Sequence, residues 1–145
     1  MMAAGARPIR PRGPAALGRD AAGAAALEFA LAAPALVLLG FGALEFGRAT
    51  LAYHEVVAAS AAGARYAMVH GSGSASPADA AAVATAAKAG LVTLSTASVT
   101  VSASWNPGKA PGDTVTVTVS YPFRFDISTL PAVTISSTMT VAISN

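Results

Sequence analysis

Apolar and polar positions recur with three different periods along this chain, and each period predicts a different element. From Ala21 to Leu44 nearly every position is apolar, and the single charge is Glu28. The 24 residues from 21 to 44, at a rise of ~1.5 Å each, reach ~36 Å, enough to cross a hydrocarbon layer of ~30 Å. From Glu45 the pattern becomes that of an amphipathic helix. Phe46, Ala49, Tyr53, Val56, Val57, Ala64 and Ala67 fall in one sector of about 100°, with Glu45, Arg48, His54, Glu55 and Arg65 on the other side. Together the two stretches predict one helix from about Ala21 to His70. Glu45 and Arg48, one turn apart, are placed to pair weakly.

Gly71-Ser72-Gly73-Ser74-Ala75-Ser76 breaks the helical pattern and reads as a flexible linker. Ser76 as N-cap, Pro77 at the first helical position and Asp79 at the third predict a second, alanine-rich helix from Pro77 to about Ala89, ended by Gly90. From Ser98 the period is two. Val99, Val101, Ala103 and Trp105 form one run, and Val115, Val117, Val119 and Tyr121 a second. Val133, Ile135, Met139, Val141 and Ile143 form a third, interrupted at Ser137, which marks a bulge or a tolerated polar position. Three such runs predict an antiparallel sheet with one buried and one wet face. Residues 106–113 hold two prolines and two glycines, a long hairpin turn, and residues 121–131 read as an irregular crossover. The fold class is therefore α+β: a long N-terminal transmembrane and amphipathic helix, a second short helix, and a C-terminal three-stranded antiparallel sheet. In domain terms this gives a basic leader (1–23), a transmembrane helix (24–44), a helix extension (45–70), a linker (71–76) and a small exported α+β domain (77–145). The Ser/Thr faces of the strands read as solvated rather than adhesive. Trp105, Phe123 and Phe125 read as core rather than as a partner patch.

Composition sharpens this picture in two places. Hydrophobic residues make up 54% of the chain and charged ones 11%, too apolar for an ordinary soluble domain. The net charge of +2 is unevenly distributed. Arg7, Arg10, Arg12 and Arg19 precede Gly23 against Asp20 alone, whereas five basic and six acidic residues follow it. The basicity belongs to the leader, so the chain offers no nucleic-acid-binding face. Arginines on the N-terminal flank place that end in the cytoplasm and the C-terminal part outside. The absence of cysteine excludes a disulfide framework and a thiolate metal site.

A charge inside a membrane segment is the sequence's one anomaly, since a central carboxylate costs ~2.5–3.5 kcal/mol on insertion. Glu28 either snorkels to the near interface or has a partner. Gly23 followed by Glu28 as the fifth residue, with Phe29 next and a long apolar run behind, resembles a type IV prepilin processing site, and an aromatic after the glutamate is similar to the Flp/Tad subgroup. Glu28-Phe29-Ala30-Leu31 with Pro34, then Phe41 to Arg48, then Gly63-Ala64-Arg65-Tyr66-Ala67, is similar to TadE-like pseudopilins of tight-adherence pilus systems. The likeness covers residues 20–70 well and the remainder in general layout. It implies a prepilin peptidase that cuts after Gly23, leaving Ala24 as the new N-terminus. It also implies that Glu28, flanked by Phe29, pairs with a neighbouring subunit's N-terminal amine during assembly. The implied partners are that peptidase, other pilins or pseudopilins, the pilus assembly platform and the membrane. The implied role is that of a minor pilin.

Nothing in the chain reads as an active site. There is no Gly-x-Ser-x-Gly, no phosphate-binding loop and no dinucleotide fingerprint, and the three acidic residues after Glu55 are widely separated. His54 and His70 lack companions at ligand spacing, so no metal or cofactor is expected. The expectation is a bacterial cytoplasmic-membrane protein, single-pass and N-in, that is a substrate of an enzyme rather than an enzyme. The alternative is an uncleaved signal-anchored envelope protein whose exported domain binds a partner. A third reading, release by signal peptidase near Ala33 or Leu36, conflicts with the charge at Glu28 and the oily terminus it would leave.

Overall fold

The structure, a computed structural model, describes residues 14–126 and 130–145, with side chains from residue 22 onward. Its elements are α1 (Pro14–Val69), α2 (Ala80–Lys88), β1 (Thr100–Asn106), β2 (Thr114–Phe123) and β3 (Val133–Ala142). The fold is α+β, as the three periods predict. α1 starts earlier than the expected Ala21. Pro14 suits a first helical position, where its missing N–H is no loss, and Ala15, Ala16 and Leu17 are strong helix formers. Pro8, Pro11 and most of the leader lie outside the described residues. The chain divides into two compact units, residues 1–43 and 44–145. In the first, the described part is helix, and it runs through Pro34.

In the second unit the sheet has the order β1-β2-β3, antiparallel throughout. Its inner face is built on Val115, Val117 and Val119 of the central strand, each fully buried. The second half of α1 contributes Ala52, Val56, Ala59, Ser60, Ala64 and Ala67, and α2 contributes Val83 and Ala87. The outer face carries hydroxyls, with Thr116 and Thr118 hydrogen-bonded across the strands to Thr140 and Thr138 at 2.9 and 3.0 Å. β2 extends two residues past the expected Tyr121. Its pairing with β1 ends at Ser120, so Pro122 sits where one side of β2 has no neighbour and the missing N–H costs nothing. Phe123 is thereby carried into the core.

The face that α1 buries differs from the predicted one. Val56, Ala64 and Ala67 are buried as expected, but Phe46 is 75% exposed and Tyr53 51%, while Glu45 turns inward. The sequence sector is weighted by its bulkiest members, whereas packing here selects the smoothest stripe. Gly63 shows why: a Cβ placed there would lie 3.2 Å from Ala87 Cβ and from Val117 Cγ1. Helix, helix and sheet approach too closely for large side chains. Ser60, on the same stripe, shares a hydrogen bond with Ser137 at 2.9 Å. This accounts for the polar interruption in β3, and the register runs unbroken through Ser137 with no bulge.

Two local expectations are corrected. The N-cap of α2 is Asp79, not Ser76, and its carboxylate accepts the Ala82 N–H at 2.7 Å. Ahead of it, the Ala78 N–H donates to the His70 carbonyl at 2.7 Å, which docks Pro77 and Ala78 to the end of α1 instead of starting the helix. The Gly/Ser stretch after α1 is also tied down. The Ser72 N–H donates to the Lys109 carbonyl at 2.7 Å, and the Ser144 N–H to the Met68 carbonyl at 2.9 Å. Gly71 is buried beneath this crossing.

Glu55 holds the loop between α2 and β1. Its carboxylate accepts the backbone N–H groups of Val92, Thr93 and Leu94 at 3.0–3.2 Å, and the Thr93 hydroxyl as well. Burial pushes this carboxyl up, but the Thr93 hydroxyl and the three N–H donors outweigh it and hold it below its ordinary value of 4.5. A depressed pKa contributes stability that is present in full above 4.5 and is lost as the pH falls through the folded value. Unfolding midpoints measured from neutral to acid pH should therefore drop below pH 4.5 in the wild-type chain. Glu55→Gln should be less stable at neutral pH and lose that part of the acid dependence. An unchanged acid limb in the variant would remove Glu55 as its source.

Candidate functional site

The residues singled out by the sequence lie on the first half of α1. Gly23, Ala24, Glu28 and Phe29 are all helical and exposed, Phe29 by 70%, and space around Gly23 is open to 4 Å. Ala24 and Glu28 are four residues apart, so they stand one above the other on the same face, separated by ~6 Å along the axis. Glu28 has no hydrogen-bond or ion-pair partner among the described residues. The apolar side chains that follow (Leu31, Leu36, Leu38, Leu39, Phe41) are exposed in every direction around the helix. A surface apolar all round is the pattern of a helix covered by a membrane or a large core. Its most apolar stretch has a mean hydropathy of 2.0, long and apolar enough to cross a membrane.

Immediately past this stretch, in the second unit, the sequence signal was weak and the structure is more definite. Arg48 donates to Glu45 at 2.6 Å and to Asp126 at 2.7 Å, and its guanidinium lies 5.7 Å from the Phe123 ring centre. Glu45 and Arg48 were legible as neighbours one turn apart. Asp126 was not, because its approach depends on β2 running on to Phe123. Arg48, Leu51, Ala52, Thr93, Leu94, Tyr121 and Phe123 line an open cleft of about 170 Å³. Of the polar side chains along it, Arg48 pairs with Glu45 and Asp126, and the Thr93 hydroxyl donates to Glu55. His70 stacks on Tyr66 and hydrogen-bonds the Tyr66 carbonyl at 2.8 Å, a packing role. Among the described residues no group of three acidic or histidine side chains is arranged to hold a metal. Trp105 packs on the core edge with Lys109 over its ring at 4.3 Å, and Phe123 meets Phe125 edge-on.

An apolar helix long enough to cross a membrane, followed by a small helix-on-sheet unit, is the pattern of a membrane-anchored protein. Residues 23–65 match the family model described as TadE-like protein, so this stretch of the chain is TadE-like. The match begins at Gly23 and takes in the apolar run and the buried stripe as far as Arg65. No curated protein and no solved structure matches the chain.

Proposed function

We propose that this protein is a pseudopilin or minor pilin of a tight-adherence, type IV-like pilus. It sits N-in in the cytoplasmic membrane, is cleaved after Gly23 by a prepilin peptidase and assembles through its N-terminal helix. The observation that carries the proposal is a lone glutamate, without a partner among the described residues, one helical turn beyond Ala24 at the head of an exposed apolar helix that is TadE-like from residue 23. A carboxylate in that setting is penalised until it meets a cation. The amine created at Ala24 of a neighbour displaced by one turn comes within its reach. Gly23 suits the cut as well. The scissile bond lies within a helix and must open to enter a protease, and glycine lowers the cost of opening by about 0.5–1 kcal/mol relative to alanine. The small unit of residues 44–145 then lies outside the membrane as the exported domain. The priming, tip and assembly-platform roles are all compatible with one such subunit.

The N-terminal sequence of the protein purified from membranes tests this directly. The expected start is Ala24 in cells carrying the peptidase, and a chain retaining residues 1–23 in cells lacking it. An intact leader in both would instead support the uncleaved signal-anchored envelope protein, and a start at Ala33 or Leu36 would mark release by signal peptidase.

A further inference from the structure

Successive backbone N–H groups that converge on one point form an anion-binding concavity. Val92, Thr93 and Leu94, in the loop between α2 and β1, supply such a set, and the Thr93 hydroxyl adds a fourth donor. Their occupant is the Glu55 carboxylate, both oxygens of which are used. Oε1 accepts the Thr93 N–H at 3.0 Å, and Oε2 accepts those of Val92 and Leu94 at 3.1 and 3.2 Å. Contacts that do not involve Glu55 shape the loop around this cradle. Leu91 and Leu94 pack against the core on either side of Val92 and Thr93, and Val99 just beyond is buried. The Leu91 N–H donates to the Lys88 carbonyl at 3.2 Å, and the Ser98 N–H to the Ser95 carbonyl at 3.0 Å. Thr93 and Leu94 also form one side of the open cleft of about 170 Å³, whose other walls include the apolar faces of Leu51, Tyr121 and Phe123. Arg48, on the same cleft, is already held by Glu45 and Asp126.

We propose that Val92–Leu94 is a preformed binding site for an aliphatic carboxylate, and that Glu55 is its built-in plug. With Glu55 withdrawn, an external carboxylate takes the same four donors, and its apolar part lies in the cleft along Leu51, Tyr121 and Phe123. The headgroup chemistry is the one the cradle already displays, a carboxylate with both oxygens satisfied. The apolar walls set the rest of the ligand class, which a free aliphatic acid and the carboxyl end of a peptide with an apolar last residue share. Because Glu55 is tethered to α1, an outside acid competes with a group at high effective concentration, so the intact chain keeps the site closed. The site lies wholly within the second unit and is independent of processing at Gly23.

Heat unfolding of full-length Glu55→Ala in detergent, followed through Trp105 fluorescence at neutral pH and constant ionic strength, tests this. The solutions contain sodium chloride alone or with butyrate, N-acetylleucine or the neutral butyramide. In chloride the midpoint should fall on the order of 4–8 °C below that of the wild-type chain. Butyrate or N-acetylleucine should restore part of that loss saturably, while butyramide does not and the wild-type chain responds to none. Recovery with N-acetylleucine alone assigns the site to a peptide end, and recovery with butyrate alone to a free acid. Adding Thr93→Val, which removes the fourth donor, should raise the half-maximal concentration several-fold. Equal responses of the wild-type and variant chains, or a response to butyramide as large as to butyrate, overturn the proposal. So does a Glu55→Ala chain that folds and responds to neither acid, or that folds in none of these solutions, since the cradle would then not be preformed.

Discussion

Glu28→Ala should leave the protein in the membrane and abolish its part in pilus assembly. Removing the carboxylate eases insertion, by up to ~2.5–3.5 kcal/mol if the residue sits at the bilayer centre and by less near the interface. On the proposed pairing, the neighbour's Ala24 amine is then left without its partner in a medium of low dielectric constant. Breaking one member of a buried pair costs ~3–5 kcal/mol. At 1.4 kcal/mol per factor of ten, each subunit contact weakens roughly a hundredfold or more. The membrane fraction should keep its normal content of the protein, processing after Gly23 should continue, and sheared or imaged pili should fall sharply. Normal pili from the variant would end the pairing role of Glu28. Loss of the protein from the membrane would point to an insertion defect instead.

Gly71→Ala should be the most damaging single-atom addition in the second unit. The new Cβ would overlap the Asn145 carbonyl oxygen and Ile143 Cγ2, and would lie 2.8 Å from the Lys109 carbonyl oxygen. Two of these three are backbone atoms, and the Lys109 carbonyl is held in place by the Ser72 N–H while the Ser144 N–H ties the neighbouring backbone to Met68. Overpacking of this kind costs ~1–3 kcal/mol, and more where the neighbours are rigid. Thermal unfolding or limited proteolysis of the full chain in detergent should show a clear loss of stability. Gly73→Ala, whose Cβ would stay 3.3 Å from the nearest atom of Asn145, should change little. Equal behaviour of the two variants would mean that this crossing is not fixed as described.

Much of the fold was legible because its signals are local. The apolar run, the switch to period two at Ser98 and the turn residues between Asn106 and Asp113 each act over a few positions. The azimuth of α1 was not legible, because it depends on how closely Gly63 lets three elements approach, and residues such as Phe46 and Tyr53 dominate any hydrophobic sum. The Glu55 contacts span 37–39 residues and involve backbone donors that carry no sequence signature. Asp79 replaced Ser76 as the cap because Ala78 is occupied in docking to His70. The candidate site, by contrast, lies within the seven residues 23–29 of one helix, so Gly23 and Glu28 could be named from spacing and resemblance. Their proposed chemistry involves a second subunit, beyond what one chain displays.

The stripe of Ala52, Val56, Ala59, Ser60, Gly63, Ala64 and Ala67 gives the second unit an unusual vulnerability. In most proteins the damaging change is truncation, which leaves a hole. Here there is little side-chain volume to remove, and the helix sits almost on the sheet. Sequence drift toward larger aliphatic residues, harmless or favourable in a roomy core, would lift α1 away from Val117. It would break the Ser60–Ser137 contact and separate elements that no compensating bulk holds together. This unit fails by being filled, and over generations its tolerated changes on that stripe should exchange one small residue for another.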